Sequence, residues 1–267
     1  MLFRSKMLRH FGDAAFFRNI YDETGLKITM NKEIFLDGMT ELSADITNEQ
    51  TEKFARYSSL LVEWNKKMNL TTVTDDDGIS VKHFLDSVLP IYHTDLNKCR
   101  TIADVGTGAG FPGIPLAIML SDVKFTLIDS LNKRVTFLKE VCAELNLNNV
   151  ECIHARAEEL GKTAQFREKF DAVVSRAVAN MTVLCEYCLP YVRVGGEFIA
   201  LKSEGCEDEI SAAKPMIGTL GAKIENDMTV PLPQSDIMRR LVVIKKIKNT
   251  PDKFPRRADK IKKASQS

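Results

Sequence analysis

The chain has 267 residues, 44% hydrophobic and 27% charged, with a formal net charge of +1, the profile of one globular domain with an extension or of two small ones. The near-zero total gives no reason to expect a polyanionic partner, but it hides an asymmetry. Residues 239–263 carry eleven Lys and Arg against Asp252 and Asp259, a net of +9, so the other 242 residues sum to −8.

From the start of the chain, residues 1–20 scatter Arg4, Lys6, Arg9 and Arg18 with no apolar stretch, which excludes a secretory signal. Residues 1–29 read as a dispensable extension, with Met30 a second plausible start. The longest uncharged run, Val105 to Ser121, spans 17 residues with four glycines and two prolines, too short and broken to cross a bilayer. Six irregularly spaced cysteines predict no disulfide framework and a reducing, cytoplasmic setting.

Residues 30–99 read as helical. Thr47 and Gln50 form a capping box, and Phe54, Tyr57, Leu61, Trp64 and Met68 follow on one helical face. A polar turn, Thr74 to Gly78, separates this helix from another over 79–89. From 100 to 248 the pattern alternates: strands over 101–105, 123–129, 150–154, 170–175 and 197–201, with helices to about 120, over 131–145 and over 180–191. Such alternation predicts βαβ units, a parallel sheet and right-handed crossovers. Strands over 223–230 and 240–247 have only a Pro-rich loop between them, so they pair antiparallel. The expected fold is α/β, a doubly wound, mostly parallel sheet with an antiparallel last strand and an N-terminal helical extension. Residues 249–267 form a basic tail.

The chemistry concentrates at the end of the first strand, Asp104-Val-Gly-Thr-Gly-Ala-Gly-Phe-Pro-Gly113. Glycines permit positive φ and let a ligand approach the backbone, and ligands in such sheets bind at the carboxyl ends of the strands. Asp129 ends the next strand, where a carboxylate meets the ribose hydroxyls of an adenosine ligand. The spacing of Gly108, Gly110 and Gly113 also fits a dinucleotide loop. Pro112 and Pro115, however, remove N–H groups that a pyrophosphate needs. Asp104 would repel a phosphate and suits the cationic end of S-adenosylmethionine. An NAD-linked oxidoreductase, another RNA or small-molecule methyltransferase, and a cofactor-free RNA-binding protein stand as alternatives.

Trp64-Asn65, Asn69-Leu70-Thr71, His83-Phe-Leu-Asp86-Ser87, the loop from Asp104 to Leu116, Asp129-Ser-Leu-Asn-Lys-Arg134, Ala157-Glu158, Ser175-Arg176-Ala177 and Leu201-Lys202 together resemble the 16S ribosomal RNA guanine-N7 methyltransferase family, the glucose-inhibited division protein B family, over about residues 47–247. The resemblance implies a class I S-adenosylmethionine-dependent methyltransferase fold with a helical cap. It implies methylation of one guanine (527 in standard numbering) of 16S ribosomal RNA, and it makes residues 100–248 the methyltransferase domain. Carried over, the cofactor contacts fall on Gly106, Phe111, Asp129, Ala157, Glu158 and Arg176, beside Asp104 and Gly108 from the loop. Members close on a short basic run followed by glycine. Here Lys253-Phe-Pro-Arg-Arg257 matches its start, and Ala258 stands where the glycine would be.

Guanine N7 carries a free lone pair, so no general base is required and no metal is expected. Expected RNA contacts are Lys202, Asn65, Asn69, His83, Arg239, Arg240, Arg256 and Arg257. Duller roles compete: Trp64 as core, Asn65 and Asn69 as caps of a helix end, and His83 with Asp86 as structural neighbours. Cys185 and Cys188 lie on one helix face without the second pair that a zinc site needs. The partner is then 16S ribosomal RNA or the small subunit, met by a monomer without a membrane. Removing the residues after Ile247 should flatten the salt dependence of RNA binding and leave cofactor affinity unchanged.

Overall fold

A computed structural model describes residues 29–176 and 179–264; residues 1–28, nearly all of the expected extension, and Ala177 lie outside them. Two helices open the fold, α1 (Lys32–Glu41) and α2 (Asn48–Asn65). Asn31 caps α1 by accepting from the Ile34 amide. On α2 the capping box forms as expected, with Gln50 N–H donating to Thr47 Oγ1 at 3.1 Å and Thr47 N–H to Gln50 Oε1 at 2.9 Å. This helix stops at Asn65, a turn short of Met68. Asn65 Oδ1 accepts from the Leu70 and Thr71 amides at 2.7 and 3.0 Å, which turns the chain away. A single turn, α3 (Asp76–Gly78), leads through π-helical residues Ile79–Leu85 into α4 (Asp86–His93).

The sheet follows: β1 (Thr101–Val105), α5 (Gly113–Met119), β2 (Lys124–Asp129), α6 (Asn132–Glu144), β3 (Val150–His154), α7 (Ala157–Leu160), β4 (Phe170–Arg176), α8 (Met181–Cys188), β5 (Val192–Ser203), α9 (Glu207–Thr219), β6 (Ala222–Pro231), β7 (Met238–Lys246) and α10 (Ala258–Ala264). Strand order is β3-β2-β1-β4-β5-β7-β6. The first five strands pair parallel, and β7 runs antiparallel to both β5 and β6. This is the class I methyltransferase arrangement, with the order reversing beside β1, where such sheets place their ligand.

One strand starts earlier than its sequence suggests. Val192 already pairs with Phe170, and the register then jumps to Ala172 opposite Glu197. Gly195 (φ +83°) and Gly196, whose added Cβ would lie 2.5 Å from the Asp171 carbonyl oxygen, are thus a bulge inside β5 rather than a link before it.

The helical residues do not form a separate core. Phe35, Phe54, Tyr57 and Phe84 are fully buried and join one apolar cluster with Leu127, Phe137 and Leu138 of the sheet layer. Ring centroids lie 4.7 Å apart for Phe35–Phe54, 5.0 Å for Phe54–Phe84 and 5.5 Å for Tyr57–Phe84. Gln50 Nε2 adds a polar tie to the Ile118 carbonyl at 3.2 Å. A second cluster, with Phe170, Leu184, Tyr191 and Phe198, fills the other sheet face. Among the described residues no helix is long and apolar enough to cross a membrane.

The basic end is built into the fold as far as it is described. Lys246, 1% exposed, donates to the Leu189 carbonyl at 2.7 Å and Thr250 Oγ1 at 2.6 Å, and pairs with Glu168 at 3.1 Å. Burial pushes its ammonium down to about 8. Arg167 donates to the carbonyls of Thr250 at 2.7 Å and Phe254 at 2.8 Å. Phe254 and Ile261 are buried. Phe84→Ala, in the aromatic contact between cap and sheet, is expected to cost about 3–5 kcal/mol, read as a lower urea midpoint at unchanged slope.

Candidate cofactor and substrate site

Between β1 and α5 the chain makes a loop at positive φ: Gly106 +75°, Gly108 +63°, Gly110 +98°. Gly106 and Thr107 amides donate to the Ile128 carbonyl at 2.9 and 3.2 Å, drawing the loop over the end of β2. There Asp129 receives it. Its Oδ2 accepts from the Gly108 amide at 3.0 Å and its Oδ1 from the Leu131 amide at 2.8 Å, with Arg134 at 3.5 Å. From the helical side the Tyr57 hydroxyl donates to the Ala109 carbonyl at 2.5 Å.

Asp104 is placed differently from expectation. It is fully buried behind the loop and is not part of the cavity wall. Its Oδ2 accepts from Thr107 Oγ1 at 2.7 Å and the Gly113 amide at 2.8 Å. Burial pushes its carboxyl up to about 7, against the pull of those two donors. It braces the loop from beneath, where it was expected to face the cationic end of a ligand. Gly113 leaves room for it: an added Cβ there would lie 2.3 Å from Leu127 Cδ2 and 2.7 Å from Asp104 Oδ2.

A cavity of about 520 Å³ opens at these strand ends. Gly106, Gly108, Phe111, Asp129, Ala157, Glu158, Arg176 and His83 line it, as do Leu70, Thr71, Thr107, Arg134, Arg156, Tyr187 and Ala258, which sequence reasoning did not select. Arg134 closes a motif already singled out, Asp129 to Arg134. Tyr187 carries no sequence signal, Ala258 stood out only as the departure from the family's closing glycine, and both reach the wall through tertiary folding.

One side of the cavity is a charged cluster. Arg176 Nη1 donates to Asp86 Oδ2 at 2.7 Å and to the Lys82 carbonyl at 3.2 Å, and its guanidinium carbon lies 4.9 Å from the Phe111 ring centroid. Asp86, 3% exposed, also accepts from Arg239 Nε at 2.7 Å. His83, on the π-helical turn, stacks on Phe111 at 4.5 Å and 15°. Burial, reinforced by the Arg176 charge, pulls His83 down to about 3. The ring is therefore neutral. Accepting from Arg176 Nη2 at Nδ1 (3.5 Å) assigns the proton to Nε2, 2.7 Å from Thr71 Oγ1. His83 and Asp86 meet through Arg176 rather than as an acid–base pair.

The expected RNA contacts separate. Asn65 clamps the loop after α2, donating to the Thr71 carbonyl at 3.0 Å, whereas Asn69 is exposed. Trp64 is partly buried against Phe137 at 5.6 Å and donates to Glu140 at 2.8 Å, a packing role. Several cations already have carboxylate partners: Lys202 with Glu209 at 2.6 Å, Arg239 with Asp86, Arg240 with Glu207 and with Asp227 at 2.6 Å, Arg256 with Glu186 at 2.7 Å. Arg257 is exposed, 4.0 Å from Asp259. At Lys202, Arg239, Arg240 and Arg256 an RNA phosphate would thus compete with an internal carboxylate. Cys185 and Cys188 are both buried in the core, and among the described residues no group of three or more His, Cys, Asp or Glu could hold a metal ion.

The family model described as GidB, rRNA small subunit methyltransferase G, matches residues 50–235. The chain belongs to this family. Curated members called ribosomal RNA small subunit methyltransferase G are similar over most of their length. The protein of Alkaliphilus oremlandii is 47% identical over 86% of this chain and 96% of its own. That of Alkaliphilus metalliredigens is 49% identical over 85% and 95%, and that of Clostridium tetani 51% over 79% and 88%. The family match thus spans the cap from α2, the glycine loop and the whole wall of the cavity up to Tyr187, and Ala258 lies beyond it.

Because His83 is neutral in the fold and ionises near 6.5 when unfolded, the unfolded chain binds the extra proton. The stability it contributes is present above about 6.5 and is lost as pH falls toward 3. His83→Gln should therefore flatten the decline of unfolding free energy between pH 6.5 and 4, measured by urea titration at each pH.

Proposed function

We propose that the protein transfers the methyl group of S-adenosylmethionine to N7 of one guanine of 16S ribosomal RNA, guanine 527 in standard numbering. Family membership carries the coarser part, S-adenosylmethionine-dependent methyl transfer to small-subunit ribosomal RNA. The observation that supports the site assignment is the single cavity that gathers Gly106, Gly108, Phe111, Asp129, Ala157, Glu158 and Arg176. Its donor set suits the cofactor: a carboxylate at the end of β2, glycines whose backbone a ligand can approach, and a guanidinium on the opposite side. Gly108 at φ +63° has no atom nearer than 4.0 Å to an added Cβ, so the backbone there lies open to a ligand. The cofactor, when bound, supplies an electrophilic methyl.

The residues then have a positioning task. N7 attacks with its own lone pair and loses no proton, so the neutral His83 needs no part as a base. Holding nucleophile and methyl in line can supply roughly 7–11 kcal/mol. Positive charge moves onto the base during transfer, which a cation on the purine face would oppose. Arg176 satisfies this constraint, since Asp86 and the Lys82 carbonyl hold its guanidinium over the Phe111 ring at the side of the cavity. There it would bind the cofactor carboxylate or an RNA phosphate. The exposed Arg257 and Asn69 are the expected contacts least encumbered by internal partners. The same reading has a cytoplasmic monomer acting, without metal, on 16S ribosomal RNA or the small subunit.

Labelled cofactor incubated with small-subunit RNA and with intact subunits from a strain lacking the enzyme should deposit its methyl at N7 of that guanine. A methyl mapped elsewhere, or none, overturns the reading. S-adenosylhomocysteine should raise the melting temperature and NAD should not. Arg176→Ala should weaken cofactor binding about 10- to 100-fold, from a charged hydrogen bond of about 1.5–3 kcal/mol, with turnover falling alongside. Lost single-turnover chemistry at unchanged affinities would remove this role.

A further inference from the structure

We propose that the segment following β7 is a working part of the cofactor site, with Arg256 and Glu186 as positioning residues that hold Ala258 against the cavity. This rests on the reading of the cavity as the S-adenosylmethionine site. After Lys246 the chain does not leave the domain. It is anchored at Thr250, whose amide donates to Glu168 Oε1 at 2.6 Å, by the Arg167 bonds to the Thr250 and Phe254 carbonyls, and by Phe254, 6% exposed.

The next anchor is electrostatic. Glu186 of α8 is 0% exposed. Its carboxylate accepts from Arg256 at three atoms: the backbone amide at 2.6 Å, Nε at 3.0 Å and Nη2 at 2.7 Å. A carboxylate buried this completely is tolerated only when paired and hydrogen-bonded, so Glu186 specifies where the segment docks. Two residues further on, Ala258 enters the cavity wall. Tyr187, the neighbour of Glu186 on α8, lines the same wall, as does Glu158 at the start of α7. The Tyr191 hydroxyl donates to the Ala157 carbonyl at 2.7 Å, fixing α7 to the end of α8. The side of the cavity beyond Asp129 is thus assembled from α7, α8 and the C-terminal segment, with Arg256–Glu186 as the latch.

Two consequences differ from what the sequence alone suggests. Arg256 serves the cofactor end of the site rather than an RNA phosphate, and losing the segment after Ile247 should weaken cofactor binding as well as alter salt dependence. The test uses the full chain. Isothermal titration with S-adenosylhomocysteine is compared for wild type, Arg256→Ala, Arg256→Lys and Ala258→Trp. Arg256→Ala and Ala258→Trp are each expected to raise Kd about tenfold, with Arg256→Lys between Arg256→Ala and wild type. In steady state the effect should fall on KM for S-adenosylmethionine, with kcat at saturating cofactor and KM for RNA changed less than twofold. A purely structural defect would lower melting temperature and active fraction and leave that KM in place. If Arg256→Ala does not fold, Ala258→Trp decides, because its side chain stands at a partly open wall. Affinities within twofold of wild type for the variants that fold overturn the inference alone. A wild type that does not bind S-adenosylhomocysteine overturns the cofactor reading and this inference together.

Discussion

The segment from Gly106 to Pro112 has no regular secondary structure of its own, and it keeps its shape because side chains from three directions hold it. Asp104 grips it from beneath through Thr107 and Gly113, Asp129 from the side through Gly108, and Tyr57 from the helical cap through the Ala109 carbonyl. Each of these bonds lies in a poorly solvated place, where an unmade partner is costly. The cavity floor is therefore as rigid as the elements on which the three residues stand. The cap supplies one of the three struts, which explains why it shares the apolar core with the sheet layer and does not sit as a detachable module.

The parallel part of the sheet was legible because short runs rich in apolar residues, such as β2 and β4, alternate with helical periodicity, and the antiparallel ending because no helix intervenes between β6 and β7. What escaped was local and had physical reasons. α1 is a short helix whose burial depends on Phe35 and Met39 meeting the cap, a tertiary fact. β5 begins at Val192 because a bulge absorbs Gly195-Gly196, residues that read as a link. α2 ends at Asn65 because that side chain turns to the amides of Leu70 and Thr71. The apolar spacing continues to Met68, but periodicity carries no information about which side chain will compete for the backbone.

At the site, residue type and position pointed to the glycine loop and Asp129, and the family resemblance to Ala157, Glu158 and Arg176; Gly106, Gly108 and these four residues line one cavity. Asp104 shows the limit. Its chemistry suited a cationic ligand, but the strand register turns its side chain behind the loop, where it organises backbone instead. The basic run shows the same limit on a larger scale. Arg239, Arg240, Lys245, Lys246 and Arg256 each pair with a carboxylate outside the run, so much of the +9 neutralises the acidic body. Sequence reveals the two opposite charges, but only the fold shows that they meet. The charge still available to a polyanion is carried by exposed residues such as Arg257, not by the run as a whole.

The cavity wall draws on residues from Leu70 to Ala258, that is, on most of the chain in order of synthesis. Contacts so far apart form late in folding, because the loops between them must close first. A nascent chain still short of residue 258 can have completed β1, the glycine loop and Asp129, but not the wall that Ala258 completes. The site therefore becomes whole only after residue 258 has been made and has docked, and a product terminated before it carries the sheet without a finished site.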